Sequence, residues 1–260
     1  MPNALDLFKL DGKVAVVTGG AKGIGAHYSA ALADAGARVV VADIDPAAVD
    51  QTVTRLERDN PERVLGAELD VSQRASIEAM VRHIDETWGR LDILVNNAAL
   101  FSALPRRDTP WGIPDEEWDR VMAVNTRGIY ACAELCLPLM QREGWGRIIN
   151  VASGLAFKGS PQSVHYAASK GAVVTMTRSM APPLAASGIT VNSIAPGSTM
   201  SETVLAARGP DAATRWDPKR IIERAEVPAD LIGTLLYLSS PASDFVTGQT
   251  VVVDGGTYLH

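Results

Sequence analysis

The segment that most constrains the fold is an apolar run that passes into a glycine-rich turn and then into a helical pattern. Residues 13–18 read Lys-Val-Ala-Val-Val-Thr, which is typical of a strand buried on both faces of a parallel sheet. The following turn, 19–25, carries Gly19, Gly23 and Gly25. Glycines allow close approach of the backbone to a phosphate, and the next helix offers free N–H groups and a positive dipole end. These features together favour a dinucleotide site over a simple loop.

Strand and helix patterns alternate along the rest of the chain. The predicted strands lie at 13–18, 38–43, 64–69, 91–96, 147–152, 189–194 and 250–254. The predicted helices lie at about 24–35, 46–58, 73–88, 115–142, 163–181 and 228–239. This alternation predicts an α/β fold with a doubly wound parallel sheet and helices on both faces. A length of 260 residues, 47% of them hydrophobic, suits one domain over 1–260.

The residue that indicates which dinucleotide is bound is Asp43. It ends the second predicted strand, eighteen residues beyond Gly25. A carboxylate at this place accepts hydrogen bonds from the adenosine ribose and repels a 2′-phosphate, so Asp43 favours NAD over NADP. Lys22, within the glycine turn, argues the other way because it can attract a 2′-phosphate. Asp43 is given more weight because it should stand closer to the ribose.

Polar residues also follow other predicted strands. Asp70 and Val71 follow the third strand, Asn97 follows the fourth and Ser153 follows the fifth. Ligands of open parallel sheets bind beyond the carboxyl ends of the strands, so residues far apart in sequence are expected to converge on one site. Simpler alternatives exist, since Asp70 can cap the next helix and Asn97 can satisfy the sheet edge.

Three side chains indicate proton transfer. Tyr166 and Lys170 are four residues apart in a predicted helix, and Ser153 lies thirteen positions before the tyrosine. Positions i and i+4 share a helix face, so the lysine cation is expected to lower the pKa of the phenol from about 10. A serine hydroxyl nearby can hydrogen-bond the oxygen whose charge changes. A chance pair on a solvated helix face is the simpler alternative for the tyrosine and lysine alone.

In combination these motifs resemble the short-chain dehydrogenase/reductase family over essentially the whole chain. The matching segments are Thr18–Gly25, Asp43, Asp70–Val71, Asn96–Ala98, Asn125, Ser153, Tyr166-x-x-x-Lys170, Pro196–Gly197 and Gly248–Gly256. The resemblance implies a single Rossmann-like domain with a seven-stranded sheet, commonly assembled as a homotetramer. It also implies hydride transfer between a nicotinamide and a carbonyl or alcohol carbon, without a metal.

The resemblance also implies roles for individual residues. Tyr166 would be the general acid/base, and Lys170 would lower its pKa and hold the nicotinamide ribose. Ser153 would position the substrate oxygen, with Leu155 also touching substrate, and Asn125 would help hold a water that relays protons. The expected cofactor contacts are Gly19, Lys22, Gly23, Ile24, Gly25, Asp43, Ile44, Asp70, Val71, Asn97, Ala98, Ala99, Tyr166, Lys170, Pro196, Gly197 and Thr199.

Three features depart from the usual pattern of that family. Ala99 stands where glycine is usual. The Pro182–Pro183 pair falls where the family continues a helix, and because proline lacks an N–H and clashes with the preceding turn, a kink or break is predicted near 181. The spacing in the next loop is uncommon, so either Thr199 or Ser201 can serve the nicotinamide carboxamide.

The substrate pocket is expected in the loops that follow the strands with the candidate chemistry. These loops are 100–113, 154–164 and the substrate loop 198–226. They are mostly apolar, which suits a hydrophobic or cyclic secondary alcohol or ketone. Arg106, Arg107 and Lys158 can meet a carboxylate or thioester tail, although solvated surface charge is the simpler account. His165 is expected to pack rather than to act in catalysis.

Composition excludes several other classes of function. The net charge is −6 and no basic stripe is present, which argues against nucleic-acid binding. No stretch approaches 18 apolar residues and no signal-peptide core is evident, so a soluble cytoplasmic protein without a membrane partner is expected. Cys132 and Cys136 are expected to be buried reduced thiols.

The leading hypothesis is therefore an NAD-dependent enzyme that interconverts a small secondary alcohol and a ketone. The first alternative is a 3-oxoacyl-thioester reductase of the NADPH type, which Asp43 argues against. The second is a dinucleotide-binding scaffold without catalytic activity, which the complete set of Ser153, Tyr166 and Lys170 argues against. Fold resemblance alone does not decide between them.

Overall fold

One sheet of seven parallel strands runs through the computed structural model, which describes residues 3–101, 104–105, 107–214 and 216–259. The strands are β1 Val14–Thr18, β2 Arg38–Asp43, β3 Val64–Glu68, β4 Ile93–Asn96, β5 Gly146–Val151, β6 Ile189–Pro196 and β7 Thr250–Val253. Their order across the sheet is β3-β2-β1-β4-β5-β6-β7. The predicted parallel sheet is confirmed, and each strand begins and ends within two residues of its predicted bounds.

Helices cover both faces of this sheet. They are α1 Gly23–Asp34, α2 Pro46–Glu57, α3 Arg74–Trp88, α4 Asp115–Met122, α5 Gly128–Gln141, α6 Leu155–Lys158, α7 Val164–Leu184, α8 Glu202–Arg208 and α9 Ala229–Ser239. Ala15 and Val17 of β1 pack with α1, α2 and α9, whereas Val14 and Val16 pack with α3, α5 and α7. Successive strand side chains point to opposite faces, so the continuous apolar runs supply both cores. Among the residues described, no helix is long and apolar enough to cross a membrane.

The long helix predicted over 115–142 contains a local change of pitch. A π-helical segment, Ala123–Arg127, joins α4 to α5. A π turn inserts one residue into the helical repeat and is frequent at functional sites. Its central residue is Asn125, which is completely buried. The short helices α6 and α8, in the two substrate loops after β5 and β6, were not predicted because neither carries a clear helical period.

The Pro182–Pro183 pair does not break α7, which includes both prolines and ends at Leu184. The predicted break near 181 is wrong. Both prolines lie in the last turn and are exposed, whereas Ala181 and Leu184 on either side are buried. Packing of these two apolar side chains keeps the helical path. Pro182 and Pro183 leave the carbonyl groups of Arg178 and Ser179 without their helical amide partners, and the helix ends one residue beyond Pro183.

A buried carboxylate, Asp92, anchors the start of β1 beside β4. Its Oδ2 accepts a hydrogen bond from the backbone N–H of Val14 at 2.9 Å and from Nε of Arg90 at 2.9 Å. Its Oδ1 accepts from Nη2 of Arg90 at 2.6 Å and lies 3.3 Å from Nζ of Lys13. The side chain is completely buried, so these partners offset the desolvation of its charge. This contact fixes the central pair of strands.

Replacing Asp92 by alanine is expected to lower the free energy of unfolding by about 3 kcal/mol, because two cations and a backbone N–H lose their shared acceptor. Denaturant unfolding of the two proteins measures this difference. Asp50→Ala, on the exposed face of α2, is the control and should change stability by less than about 0.5 kcal/mol. Equal effects of the two substitutions would contradict the anchoring role.

Candidate active site

The glycine turn is held to the sheet by side chains from two neighbouring strands. Nδ2 of Asn97 donates to the carbonyl groups of Thr18 and Gly19 at 3.0 and 2.9 Å. The backbone N–H groups of Asn97 and Ala98 donate to the hydroxyl of Thr18 at 3.0 and 3.1 Å. The predicted placement of Asn97 beside the turn is therefore confirmed. These bonds fix the turn at the carboxyl edge of the sheet.

Where the glycine turn packs most closely, there is space for the backbone but not for a side chain. Gly19 and Gly23 have φ values of 61° and 54°, which L side chains rarely adopt. A Cβ added to Gly25 would lie 1.9 Å from the carbonyl oxygen of Gly19. The N–H of Gly23, the first residue of α1, donates to Glu202 at 2.7 Å. The described contacts include no capping bond from the side chain of Lys22, so the N–H groups that follow Gly23 are those that can meet an anion.

Asp43 lies at the end of β2 beside the turn, as predicted. Its Oδ2 accepts a hydrogen bond from the backbone N–H of Ala21 at 3.2 Å. Lys22 instead forms an ion pair with Asp45, which also caps α2 by accepting from the N–H of Ala48 at 3.1 Å. This pairing holds the lysine charge at Asp45. The carboxylate of Asp43 is thus the group fixed on the backbone of the turn.

Other predicted cofactor residues occupy the same edge in different ways. Asp70 accepts hydrogen bonds from the N–H and hydroxyl of Ser72 at 2.9 and 2.7 Å, so its side chain organises the turn before α3. Val71 is buried against Gly128, at the start of α5. Ile44 is exposed to 64%, and its side chain is therefore open to a flat ligand surface.

Ser153, Tyr166 and Lys170 come together at the carboxyl end of β5. Tyr166 and Lys170 share the buried face of α7, and Nζ of Lys170 lies 5.8 Å from the centre of the Tyr166 ring. That Nζ donates to the carbonyl of Val151 at 2.6 Å. The hydroxyl of Ser153 bonds the Tyr166 phenol and accepts from the N–H of Leu155 at 3.2 Å. The predicted convergence of these three side chains is confirmed.

The direction of the Tyr166 pKa differs from the sequence prediction. Burial raises the pKa of Tyr166 to about 12, and the hydrogen bond from Ser153 lowers it only in part. Burial also lowers the pKa of Lys170 to about 7. The expected lowering of the phenol pKa by the lysine is therefore wrong for the protein alone. Desolvation disfavours the charged form of each group, and Lys170 is itself buried.

The side chain of Asn125 links the chain after β4 to α7. Its Oδ1 accepts from the N–H of Leu100 at 2.8 Å, and its Nδ2 donates to the carbonyl of Leu100 at 3.2 Å and to the hydroxyl of Ser169 at 3.1 Å. Asparagine is a poor helix former, and here its side chain forms hydrogen bonds to the chain after β4 and to α7. Its role in holding a water remains a prediction.

The substrate loop after β6 contains two carboxylates that the sequence did not single out. Glu226 is buried and accepts from the hydroxyl of Thr199 at 2.7 Å and from Nη2 of Arg220 at 3.3 Å. Its burial raises the pKa of this carboxyl to about 7. Glu202, at the start of α8, accepts from the N–H of Gly23 at 2.7 Å. Neither residue belongs to a local motif, so only the folded chain reveals them.

These contacts refine the expectation for the nicotinamide carboxamide. The Thr199 hydroxyl is engaged by Glu226, so the backbone of Thr199 is the part left for the predicted contact. Ser201 caps α8 by accepting from the N–H of Val204 at 3.4 Å, and a Cβ on Gly23 would lie 3.5 Å from its hydroxyl. The hydroxyl of Thr203 would lie 3.2 Å from the same Cβ, so two loop hydroxyls, those of Ser201 and Thr203, face the glycine turn.

An apolar ring lies beside Tyr166, and the cations of the neighbouring loops are paired. The ring of Phe101 lies 4.6 Å from the Tyr166 ring between centres. Lys158 pairs with Asp217 at 3.1 Å and lies 5.2 Å from the centre of the Tyr258 ring. Arg107 pairs with a glutamate of α4, whereas Arg106 lies outside the described residues. The cations expected as surface charge are thus partly organised by neighbouring side chains.

A glycine turn, the Asp43 carboxylate and a Ser–Tyr–Lys group meet at one edge of a parallel sheet. This arrangement is typical of an oxidoreductase that uses a nicotinamide dinucleotide. A family model described as Enoyl-(Acyl carrier protein) reductase matches residues 19–258. The chain belongs to the short-chain dehydrogenase/reductase family. Members of this family bind a nicotinamide dinucleotide.

Individual relatives cover nearly the whole chain. A 5-keto-D-gluconate 5-reductase from Escherichia coli (strain K12) is 37% identical over 96% of this chain and 97% of its own length. A 3-oxoacyl-(acyl-carrier-protein) reductase from Thermotoga maritima is 36% identical over 96% of this chain and 100% of its own length. The structure of a gluconate 5-dehydrogenase from Burkholderia cenocepacia J2315, in complex with NADP and tartrate, matches with a TM-score of 0.89, 35% identity and 98% coverage of both chains.

Replacing Lys170 by methionine is expected to stabilise the protein most at low pH. The ordinary lysine pKa is 10.5, and burial lowers that of Lys170 to about 7, so the unfolded chain binds the proton more tightly than the folded chain. The resulting penalty is full below pH 7 and is relieved as the pH rises toward 10.5. Urea unfolding at several pH values between about 6 and 9.5 measures the difference between the two proteins.

The gap in unfolding free energy between the Lys170→Met variant and the wild type should therefore shrink as the pH rises. Lys9→Met, at an exposed position, is the control and should show no comparable pH-dependent gap. A gap for Lys170→Met that stays constant over this range would contradict the lowered lysine pKa.

Proposed function

We propose that the protein is an NAD-dependent oxidoreductase that interconverts a secondary alcohol and a ketone. The observation that carries this proposal is the packing of Ser153, Tyr166 and Lys170 at the same sheet edge as the glycine turn and Asp43. The family membership supports the general chemistry of alcohol and carbonyl oxidoreduction. A scaffold without catalytic activity is disfavoured because it would not need a buried lysine beside a buried tyrosine, both costly to desolvate.

The residues at the sheet edge fit a dinucleotide. The turn of Gly19 to Gly25 leaves backbone alone near the start of α1, and N–H groups there suit a diphosphate. Asp43 would accept the ribose hydroxyls, and Lys170 would hold the second ribose. When bound, the nicotinamide supplies the hydride acceptor or donor.

The chain itself would supply orientation and proton transfer. The hydroxyl of Tyr166 would take the proton from the alcohol oxygen during oxidation and return it during reduction. Ser153, already bonded to the phenol, would hydrogen-bond the same substrate oxygen. Lys170 would stabilise the phenolate when its own amine carries a proton. Asn125 would hold the chain after β4 and the middle of α7 in register with these groups.

The proposed preference for NAD rests on charge. Asp43 is held on the turn by Ala21, whereas the charge of Lys22 is paired with Asp45. A 2′-phosphate at this place would meet an uncompensated carboxylate. The gluconate 5-dehydrogenase of known structure is in complex with NADP. The cofactor in that structure therefore differs from the one proposed for this chain.

Two substrate classes deserve direct comparison. The apolar contact of Phe101 with Tyr166 supports the sequence prediction of a hydrophobic or cyclic alcohol. The relative that is a 5-keto-D-gluconate 5-reductase supports a substrate with a carboxylate, whereas the charge of Lys158 is already paired with Asp217. Initial rates of NADH formation with gluconate and cyclohexanol separate the acidic and apolar classes.

A second candidate function is the reduction of a 3-oxoacyl thioester. The relative from Thermotoga maritima and the description of the family model favour it, whereas Asp43 argues against the NADPH that such enzymes usually take. Rates with acetoacetyl-coenzyme A and either reduced cofactor test it directly. The proposal also includes a single domain over 1–260 and a homotetramer. The molecular mass in solution tests the homotetramer.

Replacing Tyr166 by phenylalanine is expected to lower kcat at least about 100-fold on any alcohol that the wild type oxidises, because general acid–base catalysis contributes about 100- to 10,000-fold. Binding of NAD, followed by fluorescence titration, should stay within about threefold, a difference of less than 1 kcal/mol. Tyr130→Phe, at an exposed position on α5, is the control. Unchanged turnover in the Tyr166 variant would remove the catalytic assignment.

Replacing Asp43 by asparagine is expected to lower the preference for NAD over NADP by about tenfold or more in kcat/KM, since a charge–charge contact near a protein surface is worth one to several kcal/mol. Steady-state rates with both cofactors give this ratio. Asp50→Asn, exposed on α2, serves as the matched control. A wild-type enzyme that clearly prefers NADP would overturn the proposed cofactor.

A further inference from the structure

A half-buried cluster of three charged or titratable side chains connects the loop after β4 to the start of the catalytic helix. Glu117, in the first turn of α4, lies at its centre. Its two carboxylate oxygens accept hydrogen bonds from Nη1 and Nη2 of Arg107 at 2.7 and 2.8 Å. Its Oε1 also lies 2.8 Å from Nε2 of His165. The cluster thus joins three separate segments of the chain.

The burial of the cluster sets it apart from an ordinary surface ion pair. The side chains of Arg107 and Glu117 are 16% and 19% exposed, and that of His165 is completely buried. A two-bond contact between guanidinium and carboxylate is specific in both distance and angle. A carboxylate placed between two basic groups at this depth resists displacement because each partner would be left without its acceptor.

His165 depends on Glu117 more than on any other described polar group. Its Nδ1 has no hydrogen-bond partner among the described residues, and its Nε2 faces Oε1 of Glu117 off the line of a well-directed bond. The indole of Trp118 stacks on the imidazole with 6.1 Å between ring centres. His165 therefore makes two contacts with α4: its Nε2 lies close to the carboxylate of Glu117, and its ring stacks on that of Trp118.

The two ends of the cluster are adjacent to the candidate pocket. His165 immediately precedes Tyr166, and Arg107 follows Phe101 within the same loop. Phe101 and Tyr166 are themselves in contact, with 4.6 Å between ring centres. Movement of either end of the cluster would therefore alter the distance between the phenol and the apolar wall beside it.

We propose that Glu117 is a positioning residue that holds residues 107–114 against the start of α7 and so fixes the place of Phe101 against Tyr166 at the wall of the pocket. It touches neither substrate nor cofactor. The proposal rests on the role proposed above for Tyr166. No local motif singles out Glu117, since it stands in an acidic first turn where carboxylates are favoured by the helix dipole alone.

Glu117→Gln removes the charge while retaining the side-chain shape. We expect kcat/KM for the alcohol to fall about tenfold, mainly through a higher KM, because misplacement of about 1 Å far from the reacting atoms can cost up to 100-fold. The dissociation constant for NAD should stay within about twofold, a difference below about 0.5 kcal/mol. Glu116→Gln, on the exposed side of the same turn, is the matched control and should leave all three constants unchanged.

Further variants separate positioning from general destabilisation. Glu117→Asp keeps the charge and should recover part of the lost kcat/KM. Arg107→Gln combined with Glu117→Gln should be no worse than the more damaging single variant, because residues that act as one unit are not additive. Additive losses, or equal losses in Glu117→Gln and Glu116→Gln, would overturn the proposal.

Hydrogen exchange of the peptide covering 107–118 provides a readout that does not require turnover. Exchange should be faster in Glu117→Gln than in the wild type and in Glu116→Gln. Unchanged exchange, or faster exchange with unaltered kcat/KM, would also overturn the proposal. If the wild type oxidises no alcohol, the proposed function fails, and the exchange comparison alone then decides whether Glu117 holds the loop.

Discussion

The site depends on the hydrogen bonds that join the ends of β1 and β4. Asn97 donates to the carbonyls of Thr18 and Gly19, and the Thr18 hydroxyl accepts from two backbone N–H groups of the chain after β4. These bonds satisfy backbone groups that leave the sheet, where an unpaired buried polar group would be costly. They also fix the glycine turn next to the strand that leads to Phe101. The glycine turn and the candidate pocket consequently lie at the same edge of the sheet.

Burial governs the electrostatics of the candidate catalytic group. Tyr166 and Lys170 are both removed from water, so the pKa of the phenol rises to about 12 and that of the amine falls to about 7. Each shift favours a neutral form, and the two groups therefore do not form a strong ion pair in the protein alone. The hydrogen bonds of Ser153 to the phenol and of Lys170 to the Val151 carbonyl keep both polar heads in place. Both groups are thus held in place to give or take a proton, and an added charge nearby would shift both pKa values.

Charged contacts also connect each loop over the site to the sheet or to another loop. Glu117 joins the loop after β4 to α7, and Asp217 of the substrate loop pairs with Lys158 of α6. Glu226 and Arg220 pair within the substrate loop, and Arg220 packs on Gly255 of the segment after β7. Loops usually carry specificity on a fixed scaffold. In this chain these partly buried contacts hold the loops in place around the candidate site.

The sequence by itself determined the parallel sheet, its seven strands and the residues at its carboxyl edge, because each depends on a local pattern of apolar runs, glycines and helix spacing. It also placed Asp43, Asn97 and the Ser153, Tyr166 and Lys170 group correctly, since strand ends meet at one edge. Only the tertiary structure decided that α7 continues through its two prolines and that burial raises rather than lowers the Tyr166 pKa. It also decided that Glu117, Glu202 and Glu226 contact His165, Gly23 and Thr199. These outcomes depend on burial and on partners distant in sequence, and neither leaves a periodic signal along the chain.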